Sequence, residues 1–327
     1  MLDSAAMPDI KILVFLRPND PGLPALARMP SGVRALVAHN VEEALPLAAE
    51  ADAMLVATGN AAALERIWRA APRLRWIHTR PAGVDHLLFP DLAASPIPIT
   101  NSRGVFSAAL AEFALLGLLY FAKGMPTLAG AKAARHWQRY AGTQVAGSRA
   151  LLVGLGGAGR AVARLLAAAG VEVYGAGRPG HRYDVPEVAS YVASDQLHQV
   201  LPEVDALVLA CPLTEQTRGL IGAAELALMR QGSVLVNISR GPVVDEEALV
   251  GALRTGHLGG ACLDVFATEP LPAGSPLWDM PNVIVSPHSA ATVAAENGLL
   301  TDLFIDNLQR WLAGKPLRNT YDRAAGY

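Results

Sequence analysis

Short runs rich in Val, Ile and Leu alternate with alanine-rich stretches along almost the whole chain of 327 residues. Continuous apolar runs of this kind are typical of parallel strands covered on both faces, and the stretches between them suit crossover helices. The runs fall into two series, and a hydrophobic content of 52% supplies a core for each. We therefore predict an α/β fold of two Rossmann-like, doubly wound parallel-sheet domains with a ligand cleft between them.

The positions of these runs predict how the chain is divided. The strands expected in the first series are 10–16, 34–39, 53–58, 75–79 and 97–100, and those in the second are 149–156, 171–176, 206–211, 233–239, 260–265 and 283–287. Helical stretches at 107–123 and 294–312 follow the two series, and the second of them has no strand after it. We predict a discontinuous first domain, 1–100 plus 291–327, and a second domain, 101–290.

Charge and composition argue against several classes of protein. The formal net charge of −2 comes without a basic stripe, which disfavours nucleic-acid binding. The longest apolar run, Ala108–Ala122, is too short to cross a bilayer and contains Glu112, so a buried helix is expected. Cys211 and Cys262 lie in strand-like runs, and no basic and apolar leader precedes Asp9, which together predict a cytoplasmic protein.

A glycine-rich turn follows the first strand of the second series. Gly154, Gly156 and Gly159 have the G-x-G-x-x-G spacing between a predicted strand and a predicted helix, with Gly157 and Ala158 inside it. The first glycine permits the tight turn, the second lets the backbone approach a pyrophosphate, and the third brings helix and strand close together. The helix N-terminus then offers N–H groups to the phosphates. The second domain is therefore predicted to bind a dinucleotide.

The next strand ends without the acid that such sites commonly carry. An Asp or Glu about 20 residues beyond the turn binds the adenosine ribose hydroxyls of NAD. This chain has Gly177 and Arg178 there, with His181 and Arg182 close behind. Either the turn is not a dinucleotide site, or it binds a dinucleotide whose ribose carries a group that an acid would repel.

Three polar side chains each follow a strand of the second series, at the edge where open α/β sheets bind their ligands. They are Arg240, Glu269 and His288. Singly, each residue type is more often a solvated loop residue, but together they match the needs of keto-acid reduction. Arg can pair with a substrate carboxylate through a bidentate fork. His can give a proton to the carbonyl oxygen, while a neighbouring Glu orients the ring and favours its charged form.

From about Arg75 to Ala291 the chain resembles the D-isomer-specific 2-hydroxyacid dehydrogenases. The segments that carry the resemblance are AGVDHL (82–87), 101–119, GLGGAG (154–159), 211–222, 236–272 and 276–290. The long segment 236–272 is highly specific. The resemblance implies that Arg240 binds the substrate carboxylate and keto oxygen, that His288 is the acid/base, and that Glu269 supports its charged form. It also implies that the backbone of Ala82, Gly83 and Val84 receives the substrate carboxylate, although the residues alone indicate only a turn.

The resemblance extends to the cofactor. Further contacts are implied for Cys211, Pro212, Thr217, Ile238 and Ser239. Asp264 corresponds to the family residue that holds the nicotinamide carboxamide, although spacing alone equally suits a strand-end Asp bonded to nearby backbone. Relatives that use NAD have Asp where this chain has Gly177, whereas Arg178 can pair with a 2′-phosphate. NADPH is therefore the predicted preference, with NAD possible, and no metal ligands are predicted.

Two departures from the family pattern leave questions open. Ser289, Ala290 and Ala291 follow His288 where relatives often have a small pair rich in Gly, so the backbone contacts there are less secure. Arg80 precedes the AGVD loop, where it would face either the substrate or solvent.

The function that these features predict is reduction of a small 2-keto acid, glyoxylate or hydroxypyruvate, to a D-2-hydroxy acid. We expect a homodimer formed through the apolar stretch 108–122, with no nucleic-acid or membrane partner. One alternative is a formate or phosphonate dehydrogenase of the same fold, although formate dehydrogenases carry Gln in place of the Glu. The other is a dinucleotide-sensing corepressor, which can keep the same catalytic-looking residues; the absence of added tails favours the enzyme.

Overall fold

The computed structural model describes residues 9–57, 60–293, 296–323 and 326. The described chain forms two compact units, one drawn from the residues up to Val105 and those from Val293 onward, the other spanning Phe106–Thr292. Each unit is built on one parallel sheet, which confirms the predicted fold class of two parallel-sheet α/β domains. The N-terminal residues 1–8, position 58 of a predicted strand and positions 294 and 295 of the last predicted helix lie outside the described residues.

The first unit has five strands in the order β2-β1-β3-β4-β5. They are β1 (Ile10–Phe15), β2 (Val33–Ala38), β3 (Ala53–Val56), β4 (Ile77–Thr79) and β5 (Ile99–Thr100). The helices are α1 (Val41–Ala48), α2 (Ala61–Arg69), α3 (Pro90–Ala94) and the C-terminal helix (Glu296–Leu312). Asn40 and Asn60 cap α1 and α2, where their side chains accept bonds from backbone N–H groups.

Both faces of this sheet are covered, which explains the uninterrupted apolar run of β1. Leu13 and Phe15 lie in the core on one side, while Ile12 and Val14 lie in the core on the other. The second of these cores includes Phe304 and Leu308 of the C-terminal helix. The alternation of side chains along a strand therefore buries both sets.

The second unit has seven strands in the order β12-β11-β10-β9-β6-β7-β8. They are β6 (Arg149–Val153), β7 (Glu172–Gly177), β8 (Val188–Ala193), β9 (Ala206–Leu209), β10 (Ser233–Asn237), β11 (Leu258–Leu263) and β12 (Val283–Val285). The helices are α4 (Ser107–Ala122), α5 (Met125–Ala133), α6 (Gly157–Ala168), α7 (Ala223–Leu228) and α8 (Glu246–Arg254). The strand order reverses between β6 and β9, so the ligand crevice of a Rossmann-type sheet is expected at the carboxyl ends of these two strands.

Strand β8 is the one described strand that the sequence pattern does not predict. It lies at the sheet edge and pairs only with β7. Ala189, Ser190 and Tyr191 in it are exposed. An edge strand needs no continuous apolar run, because water covers part of its surface, so the hydrophobic pattern gave no signal for it.

Helix α4 is the helix that the sequence predicts to be buried. In the structure only one of its faces packs against the rest of the chain. Ala111, Ala114 and Leu118 lie in the core, whereas Glu112 and Leu116 are exposed. Among the described helices, none is by itself long and apolar enough to span a membrane. Helices α4 and α5 meet the requirements of length and composition only as a pair, bent by 65°.

His78 of β4 is a titratable group fully enclosed in the first unit. Its Nδ1 lies 2.8 Å from Oγ1 of Thr100, whereas its Nε2 has no hydrogen-bond partner in the described structure. The rings of Trp76 and Phe304 pack against it. Burial lowers the pKa of His78 from 6.5 to about 3, and the charge of Arg80 acts in the same direction. His78 is therefore neutral in the folded protein at neutral pH.

We expect His78 to make the fold sensitive to acid. Between pH 6.5 and about 3 the unfolded chain binds a proton at His78 that the folded chain does not, so stability falls as the pH decreases. The loss approaches about 1.4 kcal/mol per pH unit across that window. Urea unfolding of wild type and His78→Gln at several pH values measures it. The variant should lose less stability on acidification, and equal losses in both proteins would contradict the expectation.

Candidate active site

The glycine-rich turn lies at the switch point, between the carboxyl ends of β6 and β9. A Cβ atom added at Gly154 would lie 2.6 Å from the backbone N of Cys211, and one at Gly159 would lie 1.9 Å from the carbonyl oxygen of Gly154. Neither position can therefore carry a side chain without backbone movement. A Cβ at Gly156, in contrast, would meet nothing within 4 Å. The backbone at Gly156 thus borders open space, which fits the approach of a dinucleotide pyrophosphate.

Helix α6 starts directly at this turn, with Gly156 as its N-cap and Gly157 as its first residue. Backbone N–H groups in the first turn of a helix, here including that of Ala158, lack intrahelical acceptors and can bind an anion. The predicted glycine set is thus brought together in one cradle, whose role toward a cofactor remains a proposal.

The loop after β9 faces the glycine turn across the switch point. Oγ1 of Thr217 donates a bond to the carbonyl of Pro212 (2.7 Å) and accepts one from the backbone N of Thr214 (2.8 Å). These two bonds fix the loop. Burial raises the pKa of Cys211 to about 12, so its thiol is uncharged at neutral pH and affects the loop only through packing. Ile238 and Ser239, predicted alongside these residues, are buried after β10.

Basic side chains cluster where β7 ends. Arg178, His181 and Arg182 are all exposed in the segment after Gly177. Tyr183 packs against the same segment: its ring lies edge-on to that of His181, with the centroids 4.5 Å apart. The sequence predicts no role for Tyr183, because a single Tyr in a loop has no motif to mark it.

Glu269 and His288, which follow different strands, meet in a hydrogen bond. Nδ1 of His288 lies 2.8 Å from Oε2 of Glu269, and Oε1 of the same carboxylate accepts a bond from the backbone N of Phe266 (3.0 Å). An ionised carboxylate only accepts, so Nδ1 carries the proton. Nε2 of His288 is then an acceptor in the neutral ring and a donor in the charged ring. The pair is half-exposed, with 48% of the His288 side chain accessible.

The backbone at His288 is held in an unusual conformation. Its φ of 52° lies in the left-handed region that residues other than glycine seldom adopt. The backbone N of His288 donates to the carbonyl oxygens of Asp264 and Ser286, both at 2.9 Å. Such conformations persist only where surrounding contacts fix them, and they concentrate at functional sites.

Asp264 supplies most of those contacts. Its buried Oδ1 accepts bonds from Oγ of Ser286 (2.6 Å) and from the backbone N of Ser289 and Ala290 (2.8 Å each). This is the arrangement of a strand-end Asp bonded to nearby backbone. The bonds to Asp264 anchor the loop, although it carries Ser289 and Ala290 where relatives often have a small pair rich in Gly. The implied contact of Asp264 with the nicotinamide remains a prediction. Ser286 was not among the predicted residues, because its hydroxyl bonds Asp264 and no sequence motif marks such a contact.

Arg240 lies three residues beyond the end of β10 in extended backbone. Asn237, another residue without a predicted role, accepts bonds from the N and Oγ of Ser239 and donates one to the carbonyl of Arg240. A Cβ added at Gly241 would overlap the Phe266 carbonyl at 1.9 Å, so backbone packs directly on backbone there. The loops that carry Arg240 and Glu269 are therefore in contact.

The AGVD loop belongs to the first unit, directly after β4. Val84 is buried in the core and its carbonyl closes a turn to Leu87. Ala82 and Gly83 are partly exposed, and no described residue accepts a hydrogen bond from the backbone N–H of residues 82–84. These groups are thus available to an anion.

Arg80, which precedes this loop, neither projects into solvent nor lacks a partner. Its guanidinium is nearly buried, lies 2.6 Å from Oδ1 of Asp20 and also bonds the Asn297 side chain. The same Asp20 oxygen accepts a bond from the backbone N of Gly22. Arg80 thus joins three segments of the first unit. Across the described residues, there is no cluster of three His, Cys, Asp or Glu side chains able to hold a metal ion.

A proton-transfer pair in the same unit as a dinucleotide cradle is the arrangement of a nicotinamide-dependent dehydrogenase. Comparison with known proteins specifies the family. The profile described as "D-isomer specific 2-hydroxyacid dehydrogenase, NAD binding domain" matches residues 115–290. The chain belongs to the D-isomer-specific 2-hydroxyacid dehydrogenase family, which confirms the resemblance seen in the sequence. It is an NAD(P)-dependent enzyme of this family.

Individual relatives extend this result. The chain is 34% identical to a glyoxylate reductase of Thermofilum pendens over 254 residues, which cover 75% of this chain and 74% of the relative. A family member from Xanthobacter autotrophicus Py2, solved with NADPH and MES, matches with a TM-score of 0.82 and 33% identity, covering 97% of this chain and 99% of that one. The NADPH-dependent glyoxylate/hydroxypyruvate reductase of Sinorhizobium meliloti, solved with NADP and sulfate, matches with a TM-score of 0.84 and 28% identity, covering 97% and 100%.

Proposed function

We propose that this enzyme uses NADPH to reduce a small 2-keto acid of the glyoxylate or hydroxypyruvate type to a D-2-hydroxy acid. The observation that carries the proposal is the 2.8 Å bond between Glu269 and His288, in the same unit as Arg240 and the glycine cradle. The T. pendens and S. meliloti relatives, which are reductases of such acids, support the substrate class. In this proposal 101–290 is the dinucleotide-binding domain, and 1–100 plus 291–327 is the substrate domain.

The cofactor, when bound, supplies a hydride to the keto carbon. Gly156 and the N-terminus of α6 would hold its pyrophosphate, because the backbone at Gly156 borders open space and the first N–H groups of the helix have no intrahelical acceptor. Gly154 and Gly159 would permit the tight turn and the close helix packing that form this cradle. The other contacts carried over from the family are Gly157, Ala158, Cys211, Pro212, Thr217, Ile238, Ser239 and Asp264.

The chain's own residues then bind the acid and move a proton. Arg240 donates two N–H groups to the substrate carboxylate. The family resemblance implies that the backbone N–H groups of residues 82–84 also donate to a substrate carboxylate. Charged His288 donates the proton on Nε2 to the keto oxygen as the oxygen gains negative charge. Glu269 keeps Nδ1 protonated throughout, so that only Nε2 exchanges its proton with the substrate.

The preference for NADPH rests on the end of β7. Gly177 has no carboxylate to bind a ribose diol, and the exposed side chains of Arg178 and Arg182 offer positive charge to a 2′-phosphate. The exposed ring of His181 offers a further hydrogen-bond donor beside them. The NADPH and NADP bound in the X. autotrophicus and S. meliloti structures support this preference.

Steady-state kinetics with both cofactors tests the preference. We expect a higher kcat/KM with NADPH, and Arg178→Ala should raise the KM for NADPH about tenfold while leaving kcat nearly unchanged, since the contact is far from the hydride. Arg254→Ala, at an exposed arginine at the end of α8, is the matched control. A kcat/KM that favours NADH in the wild type would refute the proposal.

Turnover separates the enzyme from a sensor of similar fold. Oxidation of NADPH, followed by its absorbance, should occur with glyoxylate or hydroxypyruvate in a panel of keto acids. Tight cofactor binding without oxidation across the panel would instead support a dinucleotide-sensing protein, and turnover of formate or phosphite alone would support a dehydrogenase of those anions.

We also propose that the enzyme is a homodimer formed through α4, α5 and the segment after them. Leu116, Met125 and Tyr140 in this region are exposed, as is 95% of Trp137. Several large apolar side chains exposed in one region of a chain favour a protein interface there. Light scattering should give twice the chain mass of 34.3 kDa. Leu116→Arg should halve that mass, whereas Leu228→Arg, at an exposed leucine of α7, should not; a monomeric wild type would contradict the proposal.

A further inference from the structure

Position 177 is closed to a side chain by its surroundings. A Cβ atom built on Gly177 would lie 2.2 Å from Cε2 of Tyr183, 2.5 Å from its Cζ and 2.8 Å from its hydroxyl oxygen. Non-bonded carbon atoms pack at about 3.5–4.0 Å, so any residue other than glycine must displace this ring. The tyrosine ring thus covers the position at which an acid would bind the ribose of NAD.

The ring of Tyr183 is held there from several directions. Its hydroxyl oxygen accepts a bond from the backbone N of Arg178 (2.9 Å), and its ring contacts His181. On its C-terminal side, the guanidinium of Arg160 in α6 bonds the carbonyl of Asp184. Tyr191 then bonds both the N and the carbonyl of Val185 through its hydroxyl. Tyr183 also packs against the hydrophobic core. Displacing its ring therefore costs this packing together with the contacts to Arg178 and His181.

The hydroxyl of Tyr183 has hydrogen-bonding capacity left over. It accepts one bond from Arg178, and its own proton has no acceptor among the described residues. A phenolic O–H donates as well as accepts, so this proton is available to an anionic oxygen next to Arg178. A hydrogen bond from a hydroxyl to a phosphate is charge-assisted and short.

We propose that Tyr183 is a cofactor-selecting residue with two effects, an inference that rests on the proposed preference for NADPH. Its ring excludes an acidic side chain from position 177, and its hydroxyl donates a hydrogen bond to the 2′-phosphate while fixing the backbone at Arg178. The choice between NADPH and NADH therefore depends on the residues at positions 177 and 183 together. Introducing an acid at 177 alone displaces the ring and gives a poor site for either dinucleotide.

Binding of the adenosine halves of the two cofactors tests this without turnover. Isothermal titration calorimetry with 2′,5′-ADP and 5′-AMP is applied to wild type, Tyr183→Phe, Gly177→Asp and the double variant Gly177→Asp/Tyr183→Ala, with near-UV circular dichroism as a check on folding. Tyr183→Phe keeps the ring and is the matched control for the hydroxyl.

The expected pattern separates the two effects. Tyr183→Phe should lose about tenfold in affinity for 2′,5′-ADP and nothing for 5′-AMP, as expected for one hydrogen bond to a charged group. Gly177→Asp should bind both ligands weakly, and the double variant should bind 5′-AMP at least about tenfold more tightly than Gly177→Asp does. Because the conservative Tyr183→Phe preserves packing, its result stands even if Gly177→Asp folds poorly.

Two results would overturn the inference. If Tyr183→Phe binds 2′,5′-ADP as tightly as the wild type, the hydroxyl has no role; if Gly177→Asp alone binds 5′-AMP as tightly as the double variant, the ring excludes nothing. Either result leaves the preference for NADPH intact. A wild type that binds 5′-AMP as tightly as 2′,5′-ADP would refute both the preference and the role of Tyr183.

Discussion

Replacing His288 by Gln is expected to lower kcat for keto-acid reduction between about 10²- and 10⁴-fold, the range typical of losing a general acid. The amide of Gln can form a hydrogen bond, but it cannot give up a proton near neutral pH. The hydride acceptor then gains negative charge on its keto oxygen without a proton to neutralise it. Affinity for NADPH should remain close to that of the wild type, because in the proposed mode of binding the glycine cradle, and not His288, holds the cofactor.

The backbone at position 288 dictates the control for this experiment. Since φ is 52°, Gln at 288 incurs strain in addition to the chemical loss, whereas Asn tolerates the left-handed region better. His288→Asn therefore serves as a second variant with the same chemical defect and less strain. Both variants should show the same large loss of kcat and unchanged binding of NADPH by fluorescence titration. A kcat close to that of wild type in either variant would remove His288 from the mechanism.

The sequence predicts the fold well because both sheets are buried on both faces. Continuous apolar runs mark eleven of the twelve described strands, with ends that differ by a few residues from the observed ones. Strand β8 escapes because its exposed edge position frees it from that pattern. The burial of α4 is predicted only in part. An almost continuous apolar run does not show which face of the helix packs on the core of its own chain and which face stays exposed.

The candidate site is predicted where a motif or a strand end marks it. Arg240, Glu269 and His288 follow strands, and parallel strands bring their carboxyl ends to one edge. The supporting contacts are not marked in this way. Asn237 and Ser286 act through hydrogen bonds to loop backbone, and Tyr183 reaches position 177 across a loop whose path no local pattern encodes.

The burial of Arg80 is equally invisible in the sequence. Its partners Asp20 and Asn297 lie 60 and 217 residues away along the chain. Only the folded first unit brings these three side chains together. From the sequence, Arg80 is open to interpretation as a substrate contact or as a surface residue. The structure contradicts the surface interpretation, because the guanidinium is nearly buried and paired.

Removing the guanidinium of Arg240 is expected to have an effect comparable with the loss of His288, but on a different kinetic constant. Two charge-assisted hydrogen bonds to the substrate carboxylate are lost in Arg240→Ala, so kcat/KM for the keto acid should fall at least about 10²-fold. Much of that loss should appear as a raised KM, because the carboxylate is bound in the ground state as well as in the transition state. KM for NADPH should change little.

Arg240→Lys distinguishes charge from geometry at this position. Lysine keeps the positive charge but offers it as a single point, so it cannot reproduce the planar, bidentate fork of arginine. We expect its kcat/KM to lie between those of wild type and Arg240→Ala. Added guanidinium ion should restore part of the activity of Arg240→Ala and none of that of His288→Gln, since it replaces the missing ligand and not a missing acid. An unchanged KM for the keto acid in Arg240→Ala would contradict the role of Arg240 in binding the carboxylate. A residue that only supports the fold would lower stability and kcat, but its loss would not selectively raise the KM for the keto acid.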